Sequence, residues 1–65
     1  MDEFKISLPA ARVNAGLSQI ELAEKMGVSR STIINWEAGK TKIGVAQLHY
    51  FCEVCGVPEE CIFLP

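Results

Sequence analysis

The residues of this sequence with the most evident ligand chemistry lie near its end: His49, Cys52, Cys55 and Cys61. Imidazole and thiolate are ligands that zinc prefers, and two of them three residues apart on one helix can share a metal ion. However, positions 49, 52 and 55 spread over two turns of a helix that rises about 1.5 Å per residue, and no Pro or Gly interrupts that helix before Gly56. We therefore favour ordinary buried thiols over a metal site, because free cysteine is among the most buried residue types. No cofactor is expected.

Catalysis has few residues to use. The single His has no Ser–His–Asp set around it, there is no Gly-rich phosphate loop, and 65 residues leave little room for a substrate cavity. The composition, 49% hydrophobic and 22% charged, is that of a globular chain. No stretch approaches the roughly 20 apolar residues of a membrane span, and the acidic start Met1–Glu3 opens no signal sequence. We expect one cytoplasmic, non-enzymatic domain over residues 1–65 with no membrane partner.

Charge is distributed unevenly along the chain. All six Lys and Arg residues lie in residues 1–45, whereas residues 46–65 hold three Glu and no cation. Residues 29–42 contain Arg30, Lys40 and Lys42 against Glu37 alone. Because the net charge is −2, any binding to nucleic acid must use a local basic face.

Glycine, proline and serine divide the chain into short helices, so we predict an all-α fold. Phe4–Ile6 precedes them as an extended lead-in that places Phe4 or Ile6 on the core. In chain order, the predicted helices are Leu8–Ala15 after the cap Ser7, Gln19–Met26 with the capping box Ser18–Glu21, Arg30–Ala38 between Ser29 and Gly39, Val45–Cys55, and a last short helix around Glu59–Phe63.

Residues 19–38 carry the pattern of a helix-turn-helix unit. Gly27 permits a sharp turn between the two helices, and Ala23 is small enough for the next helix to cross closely. Apolar residues fill the positions that the crossing must bury: Leu22, Met26, Val28, Ile33 and Trp36. Agreement at all of these positions, with caps on both helices, favours a helix-turn-helix.

The run from Arg12 to Lys40, with Gly16-Leu17-Ser18-Gln19-Ile20-Glu21-Leu22-Ala23 and Gly27-Val28-Ser29-Arg30 within it, resembles the Cro and lambda-repressor type of helix-turn-helix domain. These are the XRE-like regulators of phages and bacteria, and the resemblance covers residues 6–64. It implies a compact five-helix fold that binds double-stranded operator DNA, usually as a homodimer. One departure is Cys61, which stands where the family often has a large aromatic residue.

With DNA as the implied target, helical geometry predicts which residues of the third helix face it. At about 100° per residue, one stripe contains Arg30, Ser31, Ile34 and Asn35, while Ile33 and Trp36 fall on the opposite side. Arginine can pair with guanine, asparagine with adenine, and isoleucine can contact a thymine methyl in the major groove. We expect this stripe to read bases; a solvated helix face with one stray apolar residue is the alternative.

Contacts to the DNA backbone are expected from a second set of residues. Gln19 begins the second helix, where backbone N–H groups favour a phosphate, and in the resembling family a glutamine there binds the backbone and braces the recognition helix. The loop Lys40-Thr41-Lys42 meets phosphates in that family, although it could equally be a solubilising loop. Thr32 is a flanking candidate. Arg12 and Glu37 look like the family's structural ion pair, with two separately solvated charges as the alternative.

Two functions remain open at this point. The first is a sequence-specific repressor-type regulator that binds operator DNA as a homodimer through its C-terminal helices, near Ile62, Phe63 and Leu64. The second is a protein-binding module of the same fold, of antitoxin or anti-repressor type, that uses the acidic and apolar face of residues 46–65. Dependence of binding on salt separates them, since phosphate contacts weaken steeply as salt rises.

Overall fold

A computed structural model describes residues 5–65, in which four α-helices are closed by a small pair of parallel strands. In chain order the elements are β1 (Ile6–Ser7), α1 (Leu8–Asn14), α2 (Gln19–Met26), α3 (Arg30–Ala38), α4 (Val45–Cys55), a 3-10 turn (Glu59–Cys61) and β2 (Ile62–Phe63).

The helices begin where serine side chains cap them. Ser7 accepts a hydrogen bond from the N–H of Ala10, and Ser29 accepts one from the N–H of Thr32. Ser18 and Glu21 form both bonds of a capping box, because each side chain accepts from the other residue's backbone N–H. These bonds satisfy N–H groups that have no partner inside the helix, so the predicted starts of the first three helices are confirmed.

The turn between α2 and α3 depends on the left-handed conformation of Gly27, at φ +70°. The next residue, Val28, donates its N–H to the carbonyl of Ala23 at 3.0 Å and so closes the end of α2. Near the end of α2, the carbonyl of Lys25 accepts a hydrogen bond from the hydroxyl of Tyr50 in α4 at 3.0 Å. The predicted helix-turn-helix is therefore present, with α4 packed behind it.

The core lies between the four helices and the strands. Ile33 and Trp36 are buried on the inner side of α3, as the helical angles predict. Ala23 is also buried, where α2 passes close to its neighbours. The full set of buried residues is Leu8, Ala11, Leu22, Ala23, Ile33, Trp36, Phe51, Cys52, Cys55 and Ile62. Within residues 5–65, no buried side-chain nitrogen or oxygen lacks a hydrogen-bond partner.

The predicted fifth helix around Glu59–Phe63 is wrong. Only Glu59–Cys61 turns, as a single 3-10 turn after Pro58, and the chain then extends as β2. Ile62 pairs with Ile6, and Phe63 with Ser7, in parallel register. A backbone that pairs with another strand gives up its helical hydrogen bonds, so the turn stops at Cys61. The fold is mostly helical, but the five-helix count is not confirmed.

Ile6 fulfils the prediction for the lead-in: it is extended, half-buried and packed against the core. The same prediction for Phe4 lies outside the described residues. Along the described part of the chain, no helix is long and apolar enough to cross a bilayer.

Candidate nucleic-acid interface

The outer face of α3 presents a continuous group of exposed side chains. Arg30 and Ser31 are exposed in the first turn, and Ile34 is 37% accessible to solvent. Ile33, its neighbour, is fully buried. Ile34 therefore places an apolar side chain among polar groups on the outer face of α3, while the opposite side of the helix contributes to the core.

Asn35 differs from its predicted neighbours because it is half-buried rather than exposed. Its backbone carbonyl accepts N–H groups from Lys40 at 2.9 Å and from Thr41 at 3.4 Å. These bonds fold the loop after Gly39 back onto the end of α3. The stripe predicted from angles alone is therefore most accessible at its N-terminal end, at Arg30, Ser31 and Ile34.

The loop that follows α3 carries three exposed polar residues, Lys40, Thr41 and Lys42. Thr32, the flanking candidate, is half-buried, and its hydroxyl lies 3.0 Å from the hydroxyl of Ser29. Thr32 is thus tied to the N-terminal cap of α3, while the loop residues are open to a ligand.

Arg12 and Glu37 form an ion pair that joins α1 to α3. Arg12 Nε lies 2.7 Å from Glu37 Oε2, and the two side chains are only 14% and 10% accessible. Arg12 also donates through Nη1 to the carbonyl of Leu17 at 2.9 Å, which holds the connection before α2. Charge-assisted bonds of this kind in a partly buried place are stronger than exposed ion pairs.

Gln19 connects this ion pair to the exposed face. It is the first residue of α2 and is half-buried. Its Nε2 donates to Glu37 Oε1 at 3.1 Å, and its Oε1 accepts from Arg30 Nη2 at 3.4 Å. The structure therefore brings Arg12, Glu37, Gln19 and Arg30 together in one chain of contacts.

The link from Glu37 to Gln19 is absent from the sequence interpretation, which assigned Glu37 to architecture alone. The helical angle of Glu37, beside the core stripe, points to a partner on another helix but does not say how many. Which side chains meet Glu37 depends on how α2 crosses α3, and a periodicity within one helix carries no information on that crossing.

The sequence also offers three thiols and an imidazole, near its end, as alternative zinc ligands. Cys52 and Cys55 are buried and Cys61 is half-buried, all three as free thiols. Burial, with a smaller effect from the Glu59 charge, raises the pKa of Cys52 to about 11, and burial also raises the pKa of Cys55. In residues 5–65 no group of three or more His, Cys, Asp or Glu is arranged to hold a metal ion.

His49 is instead held by two carboxylates. Its Nδ1 lies 2.6 Å from Glu59 Oε2 and its Nε2 lies 3.2 Å from Glu53 Oε2. The hydrogen bond to Glu59, together with the charge of Glu53, raises the pKa of the His49 imidazole above its ordinary value of 6.5. His49 thus ties α4 to the 3-10 turn.

The fold and the exposed face of α3 define a helix-turn-helix domain. The sequence model of the helix-turn-helix family matches residues 10–60, which is most of the chain. The chain belongs to this family, the XRE type, which includes the Cro and lambda-repressor-like domains. Its members are DNA-binding regulators and are generally not enzymes. A search of curated proteins gives no significant match.

Proposed function

We propose that this protein is a sequence-specific transcriptional repressor of phage or bacterial type that reads operator DNA in the major groove with α3. The observation that supports this best is the exposure of Arg30, Ser31 and Ile34 together on the second helix of the helix-turn-helix. An α-helix with its side chains is about 10–12 Å across, which suits a major groove roughly 12 Å wide.

Each residue on this face has a proposed partner among the base edges. Arg30, at the N-terminal end that enters the groove first, donates to guanine O6 and N7. Ile34 packs on a thymine methyl group, which gives its exposure a use. Ser31 bonds to a neighbouring base, and Asn35 reaches adenine from its half-buried position at the edge of the face.

Backbone contacts position the reading face. Lys40, Thr41 and Lys42 approach phosphates from the loop after α3, and Thr32 approaches from its flank. Gln19 has one amide hydrogen bonded to Glu37, and the second is available for a phosphate at the N-terminus of α2. These contacts add affinity without sequence preference.

We further propose that the protein binds as a homodimer in the cytoplasm. A single half-site offers few phosphate contacts, and two units one helical turn of DNA apart add their contacts together. The support is the exposure of Phe63, 61% accessible, and Leu64, 43% accessible, at the end of the chain. Ile62, predicted for the same surface, is turned into the core and is excluded from it.

The second candidate is a protein-binding module of antitoxin or anti-repressor type. The same exposed Phe63 and Leu64 favour it, because an exposed aromatic residue beside acidic groups can anchor a protein partner. In that case Arg30 and Ile34 would be free of any ligand.

The deciding experiment selects bound sequences from random duplex DNA and then measures affinity for the winner over a range of salt. We expect an enriched site with two-fold symmetry and a logarithm of affinity that falls steeply with the logarithm of salt, by about 0.9 per phosphate contact. Failure to enrich any sequence, with weak binding to all DNA, would contradict the proposal and favour the protein-binding module.

A further inference from the structure

We propose that Pro65 is a positioning residue for the phosphate contacts of residues 40–42, which we call the phosphate loop. This inference rests on the DNA-binding function proposed above. Pro65 packs on Gly39, the glycine between α3 and the phosphate loop: a Cβ built on Gly39 would lie 3.2 Å from the Cβ of Pro65 and 3.4 Å from its Cγ. Pro65 thus adjoins the start of the loop without being one of the proposed DNA contacts.

Hydrogen bonds hold the phosphate loop mainly at its start. The N–H groups of Lys40 and Thr41 both donate to the carbonyl of Asn35, at 2.9 and 3.4 Å. In the part of the chain that the structure describes, the next backbone N–H that donates is that of Gly44, which bonds to a side chain of α4 at 3.2 Å. Lys42 therefore lies between two held points, and its own N–H group donates no bond there.

Packing against the segment after β2 holds the rest of the loop. Thr41, Lys42 and Ile43 line a crevice of about 180 Å³ together with Leu64 and Pro65. Two buried core residues, one from α1 and one from α3, line the same crevice. Ile43 is half-buried and packed against the core, whereas Thr41 and Lys42 are exposed. A change at Pro65 therefore removes packing from the loop while the core stays closed.

The strands hold Pro65 in its place. Phe63, two residues before it, pairs with Ser7 in parallel register. In the 3-10 turn that precedes β2, the carbonyl of Glu60 accepts a hydrogen bond from Lys5 Nζ at 3.0 Å. Proline also has its φ fixed near about −65°, so it samples fewer conformers than other residues do. The paired strands therefore hold a rigid ring against the end of α3.

The order of the loop has a direct consequence for phosphate binding. A lysine on a loop that is already held binds a phosphate more favourably than one on a free loop, because less order has to be imposed when the complex forms. Each phosphate that is neutralised releases counterions, so the number of contacts is measured by the dependence of affinity on salt. Base edges are contacted by other side chains, so base preference should not depend on Pro65.

The test measures affinity over a range of salt on a random-sequence duplex that accommodates one subunit, so that subunit association does not enter. Pro65→Gly removes the two carbons that meet Gly39, and Pro65→Val restores a Cβ with two Cγ atoms. Because Pro65 is exposed, neither change should open the core. Pro58→Gly is the matched control: it makes the same change at another exposed proline, one that does not line this crevice.

We expect Pro65→Gly to reduce the slope of log affinity against log salt by about one unit, the share of one phosphate contact. The advantage of wild type should then be about three- to fourfold larger at about 50 mM than at about 200 mM salt. Pro65→Val should recover most of the slope, and Pro58→Gly should keep it. In a Lys42→Ala background, Pro65→Gly should reduce the slope little further, because both changes act on the same contact.

The outcomes separate this inference from the function on which it rests. If Pro65→Gly lowers affinity by the same factor at every salt concentration, the positioning role is wrong, because a smaller folded fraction lowers affinity without changing the slope. An unchanged slope and affinity would overturn it as well, and the DNA-binding function would stand as long as wild type shows a steep slope. A change in base preference on the selected operator would show that Pro65 acts on α3 rather than on the loop. If wild type shows no salt-dependent binding to DNA, both proposals fall together.

Discussion

Arg30, at the start of α3, and Lys42, in the loop after it, carry the same charge, but we expect different consequences from their removal. Arg30→Ala should cost about 1–3 kcal/mol on the best operator and relax the preference at one base pair, because it removes a forked contact to guanine. Lys42→Ala should weaken binding to specific and random DNA alike and reduce the salt slope by about one unit.

The measurement is affinity on a panel of single-base operator variants at two salt concentrations, with the exposed Lys25→Ala on α2 as a control for charge. An equal loss of affinity on every sequence for Arg30→Ala would make Arg30 a backbone contact. Base readout would then have to come from Ser31, Ile34 and Asn35.

At the scale of residues, the sequence predicts which side chains of α3 are exposed but not the contacts that they make with other elements. The exposure of Arg30, Ser31 and Ile34 follows from the period of one helix, because that period also buries Ile33 and Trp36. Asn35 is half-buried beside a loop that bonds to its backbone carbonyl, and Gln19 reaches Glu37 where α2 crosses α3. Both depend on contacts between elements, which single-helix patterns do not encode.

At the scale of elements, the glycine that ends α3 leaves little room for a side chain. Gly39 lies at φ +78°, and a Cβ built there would come within 3.2 Å of the Cβ of Pro65. Gly27 ends α2 at a similar φ of +70°, but a Cβ there would meet nothing within 4 Å. Both glycines adopt a left-handed backbone conformation, but only Gly39 has another residue close to the position of a Cβ atom.

We therefore predict that Gly27→Ala lowers the free energy of unfolding by about 1–2 kcal/mol, the cost of a left-handed non-glycine residue. Gly39→Ala should lower it by more, since the new methyl group also meets Pro65. Urea unfolding of both variants measures the difference. Equal losses would mean that Pro65 gives way freely and adds nothing at this position.

The contact between α4 and the 3-10 turn should depend on pH through His49. Its pKa is raised by the hydrogen bond to Glu59 and the charge of Glu53, so protonated His49 is favoured in the folded state. The stabilisation is complete below the unfolded pKa of about 6.5 and is lost as pH rises through the folded value.

Comparing urea midpoints of wild type and His49→Gln from about pH 5.5 to pH 9 tests this. The advantage of wild type should be greatest at the acid end of that range and disappear toward the alkaline end. Glu59→Gln, which removes the carboxylate 2.6 Å from His49 Nδ1, should flatten the profile as well. An advantage that grows with pH would show that His49 is bound in its neutral form.

Most bounds of the helices could be predicted from the sequence, because the residues that cap a helix lie next to its ends in the chain. A serine before each of the first three helices and a glycine after the second, third and fourth act within a few residues of where they stand. The segment after Pro58 was not accessible in this way. Its turn begins as predicted, but the partner that draws Ile62 into a strand is Ile6, near the opposite end of the sequence.

At the scale of the whole molecule, the reactivity of the three thiols should report how well the core is protected from solvent. Cys52 and Cys55 are buried with raised pKa values, so little thiolate is available in the native protein, whereas Cys61 is half-buried. At neutral pH we expect a thiol-reactive reagent such as dithionitrobenzoate to modify Cys61 first and the other two slowly. All three should react quickly in urea.

A Cys61→Ser variant is the matched control, since only the slow phase should remain. Equal and rapid reaction of all three thiols in native buffer would contradict the buried positions of Cys52 and Cys55. The same experiment in the presence of zinc tests the metal alternative, because a bound ion would protect the cysteines that ligate it from the reagent.

The pairing of β1 with β2 has a consequence for the order in which the molecule assembles. The helices contact both neighbours along the chain and more distant helices, whereas the register of Ile6 with Ile62 closes a loop of almost the full sequence. Closing so long a loop before the helices have docked would forfeit much chain entropy with only a few hydrogen bonds in return. The strands are therefore the last contacts to form and the first to open, and the amide hydrogens of Ser7 and Phe63 should exchange with solvent well before those at the centre of α2.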